Sequence, residues 1–271
     1  MKVNIFILLF LFSIPLIGQN GSTYSNGARS SAIGNTGINF TDINSLFTNQ
    51  AGLAHLESTS FLVAAERRFS LADLNNLSAG FALPTQSGTF GISINYFGFD
   101  LYNESKIGIA YSRKFMDKLS IGVQFDMLNT QIAEYGSKNL FTFEVGLQSE
   151  LNDQFTLGFH LFNPVRQEIV EEEYLPSVIQ AGVSYQPTKK VVVNVELEKD
   201  IDFPFTIKTG IEYEMVENFW LRLGINTDPV AYSFGIGYLM KSGLRLDIAS
   251  SYHQELGFTP AVSLGFDLKK K

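Results

Sequence analysis

The 271-residue chain has no cysteine, a single tryptophan, three histidines and, past its N-terminal stretch, no apolar run long enough for a membrane-spanning helix. Without cysteine there are no disulfides, thiol nucleophiles or thiolate metal ligands, and no lipid-modified N-terminal Cys. The histidines, His55, His160 and His253, stand far apart and lack metal-ligand spacing. No G-x-S-x-G elbow and no phosphate loop occur, so no catalytic residue, metal site or cofactor is expected. A Ser and a His meeting on one rim of a fold leaves no trace in the sequence. The net charge of −7 argues against nucleic acid, which selects a basic surface.

What the chain does have is 24 Phe, 11 Tyr and 23 Gly, and a repeated alternation. From Lys118 to Leu151, Leu119, Ile121, Val123, Phe125 and Met127 share one parity, and Ser120, Gly122, Gln124 and Asp126 the other. Phe141, Phe143, Val145 and Leu147 then alternate with Thr142, Glu144, Gly146 and Gln148. Side chains on a strand point to opposite faces with period two. Each run is thus apolar on one face and small or polar on the other, at the roughly 9–11 residues a lipid-crossing strand needs. About fourteen such runs follow one another from Ser60–Phe69 to Thr259–Leu268. The expected fold is all-β: a 14-stranded antiparallel transmembrane barrel, apolar outside and polar inside. The even count puts both termini on one side.

The chain divides into three expected parts. Residues 1–19 read as an export signal, with Lys2 before the apolar Ile5–Ile17 and cleavage near Gly18–Asn20, which places the mature chain in the cell outer membrane. Residues 20–57 are rich in Gly, Ser, Asn and Thr and do not alternate. Their apolar pieces, including Ile33, Ile38, Phe40, Leu46, Phe47 and Leu53, need cover, which favours a plug in the lumen over a periplasmic tail. Residues 58–271 form the barrel. Alternate joints such as Met116–Lys118, Asn152–Gln154 and Lys241–Gly243 are short and read as periplasmic turns. Opposite them the longer joints are Ile132–Asn139 and Pro164–Pro176, of which only Pro164–Pro176 could reach far from the membrane; it carries Glu168 and Glu171–Glu173, read as a solvated loop.

Alternation sends Asp126, Glu144, His160, Glu196, Glu198, Lys208, Glu212, Arg222, Arg245 and Asp247 inward. On the lipid face each would cost roughly 2–4 kcal/mol near the midplane. A lumen network pairing these groups with each other and with the plug is expected, rather than an open polar pathway. Phe69, Phe99, Phe115, Phe155, Tyr185, Tyr213, Phe219, Tyr238 and Tyr252 are expected outside, at headgroup level.

The stretch Gly27-Ala28-Arg29-Ser30-Ser31-Ala32-Ile33-Gly34, followed by Asn49-Gln50-Ala51-Gly52-Leu53, resembles the opening of the PorV/PorQ group of outer-membrane barrels, which are related to the FadL long-chain fatty-acid transporters. The family pattern is G-A-R-x-x-x-x-G and then N-P-A-G-L before the first strand. Gln50 stands where the family has Pro, a residue that restricts both itself and its predecessor. The resemblance implies a fourteen-stranded barrel with a lumenal N-terminal segment, and two functions. PorV/PorQ-type members are accessory subunits of type IX protein secretion, whereas FadL-type members pass hydrophobic small molecules through a plugged barrel. Short outer loops favour the first, a non-enzymatic scaffold in the outer-membrane lipid beside a larger protein of a secretion or barrel-assembly complex. The alternative is a FadL-like passive transporter. An apolar cavity between plug and wall would favour it, and a lumen packed with paired charges would count against it.

Overall fold

A computed structural model describes residues 27–170 and 173–268. The expected export signal lies outside the described residues, as do Glu171 and Glu172. Sixteen strands follow in chain order: β1 (Ser60–Arg67), β2 (Asn75–Thr85), β3 (Gly88–Phe99), β4 (Tyr102–Met116), β5 (Leu119–Ile132), β6 (Gly136–Asn152), β7 (Phe155–Phe162), β8 (Glu168–Val170), β9 (Glu173–Tyr174), β10 (Val178–Thr188), β11 (Val191–Asp200), β12 (Phe205–Val216), β13 (Phe219–Thr227), β14 (Val230–Leu239), β15 (Leu244–His253) and β16 (Gly257–Asp267). All but β8 and β9 form one closed antiparallel barrel of fourteen strands. β1 closes it against β16, from Ser60 opposite Asp267 to Glu66 opposite Ala261. Closure leaves no unpaired sheet edge to face hydrocarbon.

The pleat sorts the side chains as the alternation requires. Along β5, Val123 and Phe125 are 38% and 72% exposed, while Gln124 and Asp126 between them are 1% and 2% exposed. On β13, Leu223 is 63% exposed beside the buried Arg222. An outer wall of exposed Phe, Ile, Leu and Val around a charged interior inverts a water-soluble protein, and a bilayer is the solvent that fits it. Aromatics mark the rims. Phe155 stacks on Tyr185 at 4.6 Å on the short-turn side, and Tyr252 meets Phe258 at 4.9 Å on the other. Phe69 departs from its expected place on the outward face. It sits in a turn after β1 and packs edge-on against His253 at 6.0 Å.

Within the barrel, among the described residues, register shifts lie beside short turns, at Lys114/Met116, Glu150/Asn152, Tyr185/Thr188 and Glu214/Val216. Elsewhere the barrel's ladders run without interruption, so among the described residues the wall has no lateral breach at mid-height. The stretch between β7 and β10 is not a free loop: β8 and β9 pair as a hairpin above the barrel.

Candidate functional site: a filled lumen with an apolar mouth

The N-terminal segment lies inside the barrel. Its described part begins with a short helix, α1 (Ala28–Ala32), and continues through 3-10 turns at Ile43–Phe47 and Gln50–His55. Most of its apolar side chains are covered: Ile33, Leu46, Ala51 and Leu53 are 0% exposed, while Phe47 and Leu56 are half-buried. Leu46, Leu53 and Ile43 pack on Leu62, Ala82 and Ala110 of the wall. Its backbone is held by side chains from the strands. Glu196 accepts from the amides of Gly37 and Ile38 at 2.6 and 2.7 Å. Gln148 donates to the carbonyls of Ile38 and Phe40, both at 2.9 Å.

The motif residues occupy the tightest places. Gly27 and Gly34 have left-handed backbones, φ 85° and 71°, at the two ends of the first turn. A side chain at Gly34 would also meet the Ile225 amide at 2.9 Å. The Asn49 carbonyl oxygen accepts from the Ala51 amide at 3.1 Å, while its NH2 donates to Ile38 at 2.8 Å and to Leu147 at 3.1 Å. Gln50, in the place of the family's Pro, donates to Glu144 at 2.7 Å and ties the segment to the charge layer. Gly52 leaves no room at all: a Cβ there would fall 1.9 Å from the Phe40 carbonyl oxygen.

Two ion-pair networks hold the segment. On the β12–β15 side, Arg29 meets Glu212 at 2.7 Å and Asp42 at 2.5 Å and lies 4.2 Å from the centre of the Phe40 ring. Arg222 bridges Glu212 at 2.7 Å and Asp247 at 2.6 Å, and Arg245 also holds Asp42. On the β4–β12 side, Glu144 takes Lys106 at 2.8 Å and His160 at 2.9 Å, with Asp126 4.0 Å from Lys106. Gln180 links His160 at 3.1 Å to Glu198 at 2.6 Å, and Glu198 takes Lys208 at 2.5 Å. Nearly every inward charge expected from parity is thus partnered, most of them buried. Lys106 and Asp42 were not among the expected groups. Lys106 shares its parity with Gly108, Ala110 and Ser112, so alternation carried its signal. Asp42 lies off the strands, where parity says nothing.

Above the Glu144 layer β5 and β6 turn one apolar pair inward, below a polar row of Glu104, Thr130 and Lys138. Leu128 and Leu140 of β5 and β6 cluster with Leu175, against Phe162 and Ile169. Asn163 fastens the hairpin's base over them. Its amide donates to the Leu175 carbonyl at 2.8 Å, and its oxygen accepts from Thr142 at 2.8 Å. Lys106 sits 5.4 Å from the Phe162 ring, where the apolar mouth meets the charge layer. A cavity of about 730 Å³ opens at the other end, between Leu56–Ser58 and the β2–β3 turn at Pro84–Gln86.

At that lower rim His55 lies 3.1 Å from the Ser120 hydroxyl and 3.3 Å from Glu150. The order is that of a nucleophile, base and acid. Ser120 is only 2% exposed, however, so the seated segment shields its oxygen and the group acts as a latch. Burial and the nearby Lys114 ammonium hold the His55 pKa below its ordinary value, with Glu150 opposing. The folded chain therefore favours neutral His55, and the unfolded chain takes up the proton first on acidification. The latch should weaken as pH falls below about 6.5, the unperturbed value for His. Thermal unfolding followed by heat-modified gel mobility should drop across that window, and less steeply in His55→Asn. Equal pH slopes for the two would refute the latch.

No protein-family model and no curated protein matches the chain. Solved structures do match. The Ralstonia pickettii toluene transporter TbuX aligns over 90% of this chain and 98% of its own, with TM-score 0.74 and 12% identity. The P. putida toluene transporter TodX aligns over 90% and 99%, with TM-score 0.71 and 13% identity. A Pseudomonas aeruginosa FadL homologue aligns over 90% and 98%, with TM-score 0.64 and 13% identity. These findings overturn the expectation of a secretion or assembly scaffold: proteins of this architecture are transporters and channels by name, and the PorV/PorQ half of the resemblance finds no support. Brief outer loops misled because loop length reports on the surface, not on what the lumen admits. The chain has the fold of a FadL-like fourteen-stranded outer-membrane barrel.

Proposed function

We propose that the chain is a passive outer-membrane channel for small, uncharged hydrophobic molecules, delivered to its membrane by the N-terminal export signal. The observation that carries this is the apolar mouth. Leu128, Leu140 and Phe162 occupy inward positions on β5, β6 and β7, where the inward positions below them on the same strands hold polar or small groups. Apolar side chains at the water-facing end of a lumen suit an apolar guest, because each buried CH2 contributes about 0.8 kcal/mol. The names of the toluene transporters of the same fold support the same class of solute.

The lumen below is filled by paired charges, which counts against a standing passage, and the described state is closed. A guest held under the β8–β9 hairpin passes downward only when the N-terminal segment shifts against the wall. The cavity at Leu56–Ser58 then offers the way out to the periplasm.

Cells expressing the chain should take up radiolabelled toluene faster than vector controls. Leu128→Asp, which plants a charge in a site only 4% exposed, should slow uptake by about tenfold or more. Uptake equal to the vector control, with a barrel shown folded by heat-modified mobility, would overturn the reading.

A further inference from the structure

The outer wall carries few charges, and they differ in how they are satisfied. Among the described residues, the outward positions of the fourteen strands hold no acid and three bases, Arg67, Lys199 and Arg113. Arg67 and Lys199 lie at the outer ends of β1 and β11. Arg67 donates to Asn75 at 3.1 Å, and Lys199 donates to the Phe203 carbonyl and lies over the Phe205 ring at 5.4 Å. Arg113 stands at the opposite border, three residues before the β4 end at Met116, and is exposed. It has no hydrogen-bond or ion-pair partner among the described residues.

Its surroundings form a groove. Arg113 faces Ile121 across the β4–β5 ladder and Tyr111 faces Val123. With Phe115 these side chains line a hollow of about 340 Å³ on the lipid side of the wall. Tyr111 is fixed at its floor, since its hydroxyl donates to the Ser87 carbonyl at 2.6 Å and its ring packs on Phe90 at 5.1 Å. The groove is therefore apolar along its length and cationic toward its periplasmic side, with Phe115 beyond Arg113 at the turn.

We propose that this groove binds one glycerophospholipid of the periplasmic leaflet, with the phosphate on Arg113 and an acyl chain along Tyr111, Ile121 and Val123. The charge is complementary, and the guanidinium matches a phosphate with two parallel N–H···O bonds. The depth is right: a base three residues from a periplasmic turn reaches the headgroup level, where a lone charge on the wall costs little compared with one at the midplane. A free phosphate ion would satisfy the guanidinium but leave the apolar groove empty.

The test uses the full-length barrel, purified in mild detergent and followed by native mass spectrometry. The probes are phosphatidylglycerol and the diacylglycerol with the same acyl chains. Wild type is expected to retain one phosphatidylglycerol through delipidation and to release diacylglycerol. Arg113→Gln should lose the phospholipid by about tenfold or more, and Arg113→Lys should keep part of the affinity, since an ammonium cannot form the paired bonds. Because Arg113 faces lipid, the Gln variant keeps the lumen contacts, and heat-modified mobility verifies its fold. Equal retention by wild type and Arg113→Gln would overturn the proposal. So would diacylglycerol held as tightly as phosphatidylglycerol, or displacement of the lipid by inorganic phosphate alone.

Discussion

A Gly122→Val barrel is expected to conduct ions in a planar bilayer where the wild type stays closed. A Cβ at Gly122 would fall 2.3 Å from both the Ala51 amide nitrogen and the Gln50 carbonyl carbon. Those are backbone atoms of a turn whose other side is fixed, so no rotamer change relieves the clash. Gly146 across the ladder is as tight, with 1.9 Å to the Asn49 carbonyl oxygen that caps the same turn. Overpacking alone costs about 1–3 kcal/mol, and a cap lost with it about 1 kcal/mol. Leaving the segment seated would also strain Gln50 away from Glu144, a charged acceptor whose loss adds about 1.5–3 kcal/mol. The least costly outcome is displacement of the turn with the wall intact, because the wall is held by ladders on both sides of every strand. Single-channel recording on the reconstituted variant is the measurement. A variant that remains closed with unchanged thermal stability would show that the segment does not lie on these glycines.

The second large effect is expected at Arg222. It is 3% exposed and joins Glu212 to Asp247. In Arg222→Met, Glu212 keeps Arg29, but Asp247 loses the cation at 2.6 Å and stays buried at 1% exposure. Removing one partner of a buried pair costs about 3–5 kcal/mol, because the other charge is left in a poor dielectric. For a chain of this size that corresponds to a fall of roughly 6–20 °C in the temperature at which the compact gel form is lost. Adding Asp247→Leu should recover most of the loss, since a desolvated pair replaced on both sides by apolar groups is close to neutral. An unshifted transition in the single variant, or no recovery in the double, would mean that water reaches Asp247 and that this part of the lumen is wet.

The resemblance of the opening motif to a fourteen-stranded family carried two functions, and only its fold survives intact. Particular residues show why. The Gly27–Gly34 and Asn49–Leu53 pieces encode close packing of a segment against a wall, which every plugged barrel of the type requires. Their contacts are within the segment and to the wall. The residues that favour a hydrophobic solute, Leu128, Leu140, Phe162 and Leu175, read in the sequence as ordinary strand and loop apolars. Leu175 lies in what the acidic run marks as a solvated loop, and its cover depends on Asn163 reaching back to it.

The sequence by itself determined the wall. Alternation is a property of the extended backbone, and one residue of slip would turn every Phe and Ile of a strand inward, so fourteen runs of fixed parity settle strand count, membrane face and the inward aim of the charges. Tertiary structure alone decided the contents of that wall: which acid takes which base, that Gln50 reaches Glu144, that His55 meets Ser120, and that apolar groups gather at the mouth. Arg29 finds Glu212 across 183 residues of chain. Such a meeting exists only after the barrel has closed, and no local periodicity encodes it.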